Sequence, residues 1–170
     1  MFMKTIIYNN DNLNDNDINN LVRRSKAIII NSNNQILFAK SHGTYFFVGG
    51  RVEENENFDE GLIREVKEET GITLPLKVRV PILNITYMNK DYPREGINTK
   101  TVANYYLIEC DDKPDLNKMD LTEEEKSWDF ELVYVDKKDS LKVLEKSLKE
   151  SKNKNVVSDT LNALKVFLNK

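Results

Sequence analysis

The chain has 170 residues, 39% hydrophobic and 31% charged, which supplies one ordinary core and argues against wholesale disorder. With 25 basic against 28 acidic side chains, the formal net charge is -3, so no broad positive field exists to hold a nucleic acid polymer. A small anionic ligand is compatible with this balance if local cations or a metal receive it. No stretch is long and apolar enough to span a bilayer, and Met1-Phe2-Met3-Lys4-Thr5 lacks a signal or transit pattern; a reducing cytoplasm is the expected location.

One domain over residues 1–170 is expected, with its core from about residue 23 to 150. Residues 1–22 read as a short strand, Thr5 to Tyr8, then an Asn- and Asp-rich loop whose side chains compete for backbone hydrogen bonds. Lys26–Ile30 and Gln35–Ala39 are apolar runs around Asn31-Ser32-Asn33-Asn34, the pattern of a tight hairpin. Tyr45–Val48 reads as a strand stopped by Gly49-Gly50. A helix follows over 58–70: Asn57 and Glu60 form a capping-box pair, and Gly71 suits a left-handed C-terminal cap. Further strands are predicted at Lys77–Val80, Ile82–Met88, Thr101–Glu109 and Glu131–Val135. The single Cys110, just past one of them, is read as a buried, inert thiol. Two amphipathic helices close the chain, one around Leu141, Leu144 and Leu148, the other over 155–168. Antiparallel strands mixed with helices predict a sheet covered by helices.

The chemistry concentrates on the 58–70 helix. At about 100 degrees per residue, Glu68 and Glu69 lie within about 60 degrees of Glu65, while Leu62, Ile63 and Val66 fall on the adjoining face. Like charges three and four apart destabilise a helix unless something compensates, and hard cations such as magnesium or manganese favour oxygen ligands of this kind. A charge run alone is usually a solvated face. Here the wider spacing reverses that reading: Gly50, five residues, Glu56, seven residues, then Arg64-Glu65-Val66-Lys67-Glu68-Glu69-Thr70-Gly71-Ile72.

This segment resembles the Nudix box at every fixed position, nine specified residues in 23. The preceding hairpin and the Tyr45-to-Glu53 entry are similar to the family too, although Val48 stands where the family usually has proline. The resemblance implies an α/β fold of the Nudix type, an α/β/α sandwich with a mixed β-sheet flanked by helices. It implies a pyrophosphohydrolase using Mg2+ or Mn2+, with Glu65, Glu68, Glu69 and the Gly50 carbonyl as metal ligands. Glu68 is also a candidate base, and Glu56 and Arg64 are implied to tie loop to helix. Family members place the base on the helix or on a later loop, where Glu95, Glu123-Glu124-Glu125 and Glu131 are candidates; Glu131, just before a strand, is preferred among them.

The implied substrate is a small nucleoside diphosphate linked to another group: a nucleotide sugar, ADP-ribose, a dinucleoside polyphosphate or a nucleoside triphosphate. Arg51, Tyr87 and Arg94 are its candidate contacts, with Arg23, Arg24, Tyr92, Trp128 and the sole histidine, His42, as weaker ones. No nucleic acid polymer and no membrane partner is expected, and the resemblance allows a homodimer. The competing reading is a non-catalytic nucleotide-binding sensor of the same fold, against which the intact glutamates argue. A prenyl-diphosphate isomerase is disfavoured, because that branch pairs a catalytic cysteine with an acid and Cys110 lies far from the box in sequence.

Overall fold

Strand pairing in the computed structural model, which describes residues 3–127 and 129–169, produces one seven-stranded mixed sheet. Its strands are β1 (Lys4–Tyr8), β2 (Asn20–Ile30), β3 (Gln35–Ser41), β4 (Thr44–Phe46), β5 (Leu83–Asn89), β6 (Thr99–Glu109) and β7 (Glu131–Asp136). The order is β1-β5-β6-β2-β3-β4, with β7 also paired to β3. β1 with β5 and β2 with β6 run parallel; the remaining pairs are antiparallel. The helices are α1 (Phe58–Thr70), α2 (Glu123–Ser127), α3 (Ser140–Glu150) and α4 (Lys154–Leu168).

Side chains on a strand alternate between faces, and the apolar stretch of β2 is buried on both. Ala27 and Ile29 join Leu37, Ala39 and the α1 residues Leu62 and Val66 in one cluster. Ile28 joins Ile36 and Phe38 with Leu144, Leu161, Leu164 and Phe167 of α3 and α4 in the other. The sheet is therefore the middle layer, with α1 on one side and α3 and α4 on the other: the expected α/β/α sandwich. Among the described residues no helix is long and apolar enough to cross a membrane.

Both ends of α1 are fixed by local chemistry. The Asn57 side chain accepts from the amides of Asp59 (2.9 Å) and Glu60 (3.0 Å), and the Glu60 carboxylate accepts from the Asn57 amide (2.8 Å). At the other end Gly71 takes a φ of 74° and donates to the Lys67 carbonyl at 2.8 Å. Replacing Asn57 with alanine is expected to cost about 1 kcal/mol, readable as a lower urea midpoint at unchanged slope.

Three regions differ from the sequence reading. First, β2 begins at Asn20, six residues before the predicted Lys26, because it pairs in parallel with β6 from Asn20–Thr99 through Ile30–Glu109. The preceding Asn/Asp-rich loop contains a 3-10 turn, Asp15–Asp17, and is held by its own side chains, as where Asn9 bonds the Leu13 backbone. Second, residues 77–80 form no strand. Pro75 and Pro81 bracket the segment without amide donors, the Arg79 amide is taken by the Asp59 carboxylate (3.2 Å), and Leu76, Val78 and Val80 stand exposed. Third, β4 ends at Phe46, and Val48 makes only an isolated bridge to Ala27. Cys110 is half-buried against the α1-side cluster, not enclosed in it.

Candidate active site

α1 carries its acids along the edge of its apolar stripe, so the burial of Leu62 and Val66 also presses Glu65 and Glu69 against the loop before the helix. Glu65 and Glu69 are 9% and 5% exposed, whereas one third of the Glu68 side chain reaches solvent. Gly50 makes the approach to Glu65 possible: a Cβ there would lie 2.5 Å from Glu65 Oε2. The Gly50 carbonyl accepts from the Ser25 amide at 3.0 Å, which leaves it a second lone pair. The Gly49 amide donates to Glu69 Oε2 at 2.6 Å.

Two side chains offset the repulsion among these acids. Arg64 grips Glu56 with Nε (2.7 Å) and Nη2 (3.0 Å), a bidentate pair. Its Nη1 reaches Glu65 (2.9 Å) and Glu68 (3.0 Å), and its Nη2 also donates to the Arg51 carbonyl. The guanidinium thus ties the 51–56 loop to the helix; it holds the Glu56 carboxyl below its usual range, and its own pKa is raised in return. The second is Lys26 on β2, whose ammonium donates to the Gly49 carbonyl. Burial raises the Glu69 and Glu65 carboxyls and lowers the Lys26 amine, each pulled back by opposite charge.

The cluster borders a groove that β2 divides by its alternation. Leu21 and Arg23 line a cleft of about 1190 Å³ together with Arg64, Glu65, Glu68 and Glu125. Asn20, Val22, Arg24 and Lys26 line a second, of about 1020 Å³, with Phe46 and Tyr87. Arg51 borders both. Tyr87 stacks on Tyr8 at 4.9 Å between centroids and donates its hydroxyl to Asp159.

The other sequence candidates lie elsewhere. Glu131 is on β7, paired with Lys40 at 3.1 Å, and lines a separate cavity with Leu37, Phe130 and Tyr134. Arg94 is exposed and lines neither cleft. His42 occupies the exposed β3–β4 turn with a φ of 46°. Trp128 lies outside the described residues. Sequence reasoning missed Lys26; a lysine beside Ala27-Ile28-Ile29 was the available signal.

The NUDIX domain model matches residues 21–152. The chain belongs to the NUDIX family. It is accordingly a hydrolase acting on acid anhydrides in nucleotide-linked substrates. Comparison with curated protein sequences gives no match. Among solved structures, the chain is similar to a MutT protein from Methanosarcina mazei Go1, with 19% identity, coverage of 89% of this chain and 97% of that one, and a TM-score of 0.54. A MutT protein from Bacillus halodurans gives 20% identity, 72% coverage of each chain and a TM-score of 0.53. A C. elegans Ap4A hydrolase gives 15%, 88% and 97%, and 0.50. At these identities the likeness establishes the NUDIX fold.

Among the described residues no three acidic, imidazole or thiol groups converge closely enough to form a ready metal cage. The donor chemistry nevertheless fits magnesium or manganese, the family's usual cations: carboxylate and carbonyl oxygens from one helix edge and one glycine turn, with room in the adjoining cleft for waters and phosphate oxygens.

Proposed function

We propose that this NUDIX chain cleaves the pyrophosphate bond of a nucleoside diphosphate linked to a second group, at the cleft where Glu65 and Glu68 meet Arg23 and Arg51. The observation that carries this reading is that one cleft gathers Glu65 and Glu68 of the helix with the guanidinium groups of Arg23, Arg51 and Arg64, alongside further acids at Glu53, Glu54, Asp120 and Glu125. A diphosphate bridges the helix acids and the guanidinium groups. Glu65, Glu68, Glu69 and the free lone pair of the Gly50 carbonyl would hold a divalent cation. When bound, that cation supplies Lewis acidity that neutralises phosphate charge in the transition state.

The chain's own residues do the rest. Arg51 and Arg23 orient the phosphates, although two Arg23 nitrogens are already engaged by the carbonyls of Glu56 (2.8 Å) and Glu53 (2.6 Å). Arg51, exposed and bordering both clefts, is the freer of the two. Glu68 takes the proton of the attacking water. Glu125 of α2 lines the same cleft, its Oε2 fixed by the amide and hydroxyl of Thr122 (both 2.8 Å). The moiety beyond the diphosphate extends past Arg51 towards Phe46 and the Tyr8–Tyr87 stack, whose ring faces suit a planar group.

A panel of nucleotide sugars, ADP-ribose, dinucleoside polyphosphates and nucleoside triphosphates, assayed with Mg2+ or Mn2+, tests the proposal. Phosphate-ester products from at least one class are expected, with Glu131→Gln retaining activity within about threefold, since that carboxylate is an exposed ion pair on another face. Metal-dependent binding without turnover across the panel would sink the hydrolytic reading and mark a sensor.

A further inference from the structure

Position 26 is an expensive place for a lysine. Its side chain is half-buried at the edge of the second cleft, next to the fully buried Ala27, Ile28 and Ile29, and drawing an ammonium out of water is unfavourable unless an opposite charge and an acceptor replace the lost hydration. Both are supplied by the acidic cluster. The ammonium donates to the Gly49 carbonyl and the Gly49 amide donates to Glu69; Glu69, Glu65 and Glu125 are the negative charges acting on the lysine, against the positive charge of Arg24. The Phe46 ring, 5.9 Å from the ammonium to its centroid, adds a further attractive face. One residue, Gly49, thus links a fixed cation to a buried carboxylate at the place where repulsion among Glu65, Glu68 and Glu69 calls for positive charge.

We infer that Lys26 is a built-in counter-ion that competes with a divalent cation for the Glu65–Glu69 cluster, so that this site takes metal more weakly than its carboxylates alone would. The inference rests on the proposed reading of those glutamates as metal ligands. It gives Lys26 a structural role beside that of Arg64, which already pairs with Glu65 and Glu68, and it predicts a protein that keeps its cluster assembled at low metal concentration.

The test is Mn2+ titration of the full chain followed by the electron paramagnetic resonance signal of free Mn2+, with thermal unfolding measured in parallel. Lys26→Met, which keeps the length and removes the charge, is expected to bind Mn2+ at least tenfold more tightly, or to take up one more ion per chain. Lys26→Arg is expected to stay within threefold of wild type. The methionine variant should melt lower in metal-free buffer and regain the lost stability in Mn2+. Should it fold only when Mn2+ is present, the metal has replaced the lysine charge and the inference stands. Affinity unchanged within twofold, weaker binding, or failure to fold with and without metal overturns it. Glu65→Gln separates the two readings: weakened Mn2+ binding there, with no change in Lys26→Met, removes only the counter-ion role, whereas no Mn2+ uptake by any form removes the metal-ligand reading itself.

Discussion

Replacing Glu68 with glutamine is expected to lower kcat by roughly two to four orders of magnitude, the range for loss of a positioned general base. The assignment follows from how differently the three helix acids are held. Glu69 is buried and anchored by the Gly49 amide, and Glu65 is buried beneath Gly50. Glu68 faces the cleft: its Oε2 accepts from Arg64 and, among the described residues, its Oε1 has no hydrogen-bond partner. Glutamine keeps the shape and an acceptor for Arg64 while removing proton affinity. Stability should therefore change by no more than about 0.5 kcal/mol for this partly exposed pair. Steady-state kinetics with the best substrate of the panel, together with a urea titration, separates the two effects. The result that would move the base is turnover within a few-fold of wild type for Glu68→Gln and a large loss for Glu125→Gln, because Glu125 lines the same cleft.

What the chain reveals in advance follows from whether a signal is local. The α1 segment was fully legible: the Asn57–Glu60 pair, the Leu62–Val66 stripe, Gly71 and the box spacing all act within a few turns of one helix. The first half of β2 was not. Leu21-Val22-Arg23-Arg24-Ser25-Lys26 lacks apolar alternation because its side chains turn to the clefts, and its strand character comes from backbone pairing with β6, some 79 residues away. Residues 77–80 failed in the opposite sense. Their alternation imitates a half-buried strand, yet burial needs a neighbour, and the ladder with β1 begins only at Leu83. Proximity in sequence also misdirects among the late acids. Glu125 and Glu131 are six residues apart, and strand pairing carries Glu131 to Lys40 on β3 while α2 keeps Glu125 at the cleft.

The largest stability effect is expected at Gly49. Its φ of 118° lies where side chains are strained, at a cost of about 1–3 kcal/mol. A Cβ there would also stand 2.2 Å from the Ser25 carbonyl oxygen and 3.0 Å from the Lys26 Cα. Both are backbone atoms of β2, so no side chain can swing aside. The 48–50 loop must instead withdraw from the strand, which weakens the bonds from the Ala27 amide to the Val48 carbonyl (2.9 Å) and from the Ser25 amide to the Gly50 carbonyl (3.0 Å). Each such loss costs about 1 kcal/mol. Gly49→Ala should therefore destabilise the protein by roughly 3–5 kcal/mol, a large share of a typical folding free energy. Gly43→Ala is the control. Its φ is also positive, 79°, but a Cβ there meets nothing within 4 Å, so only the conformational penalty of about 1 kcal/mol remains. Urea midpoints of the two variants decide the matter. Equal costs would show that the loop yields without effort, and the anchoring of Glu69 through the Gly49 amide would lose its rigidity with it.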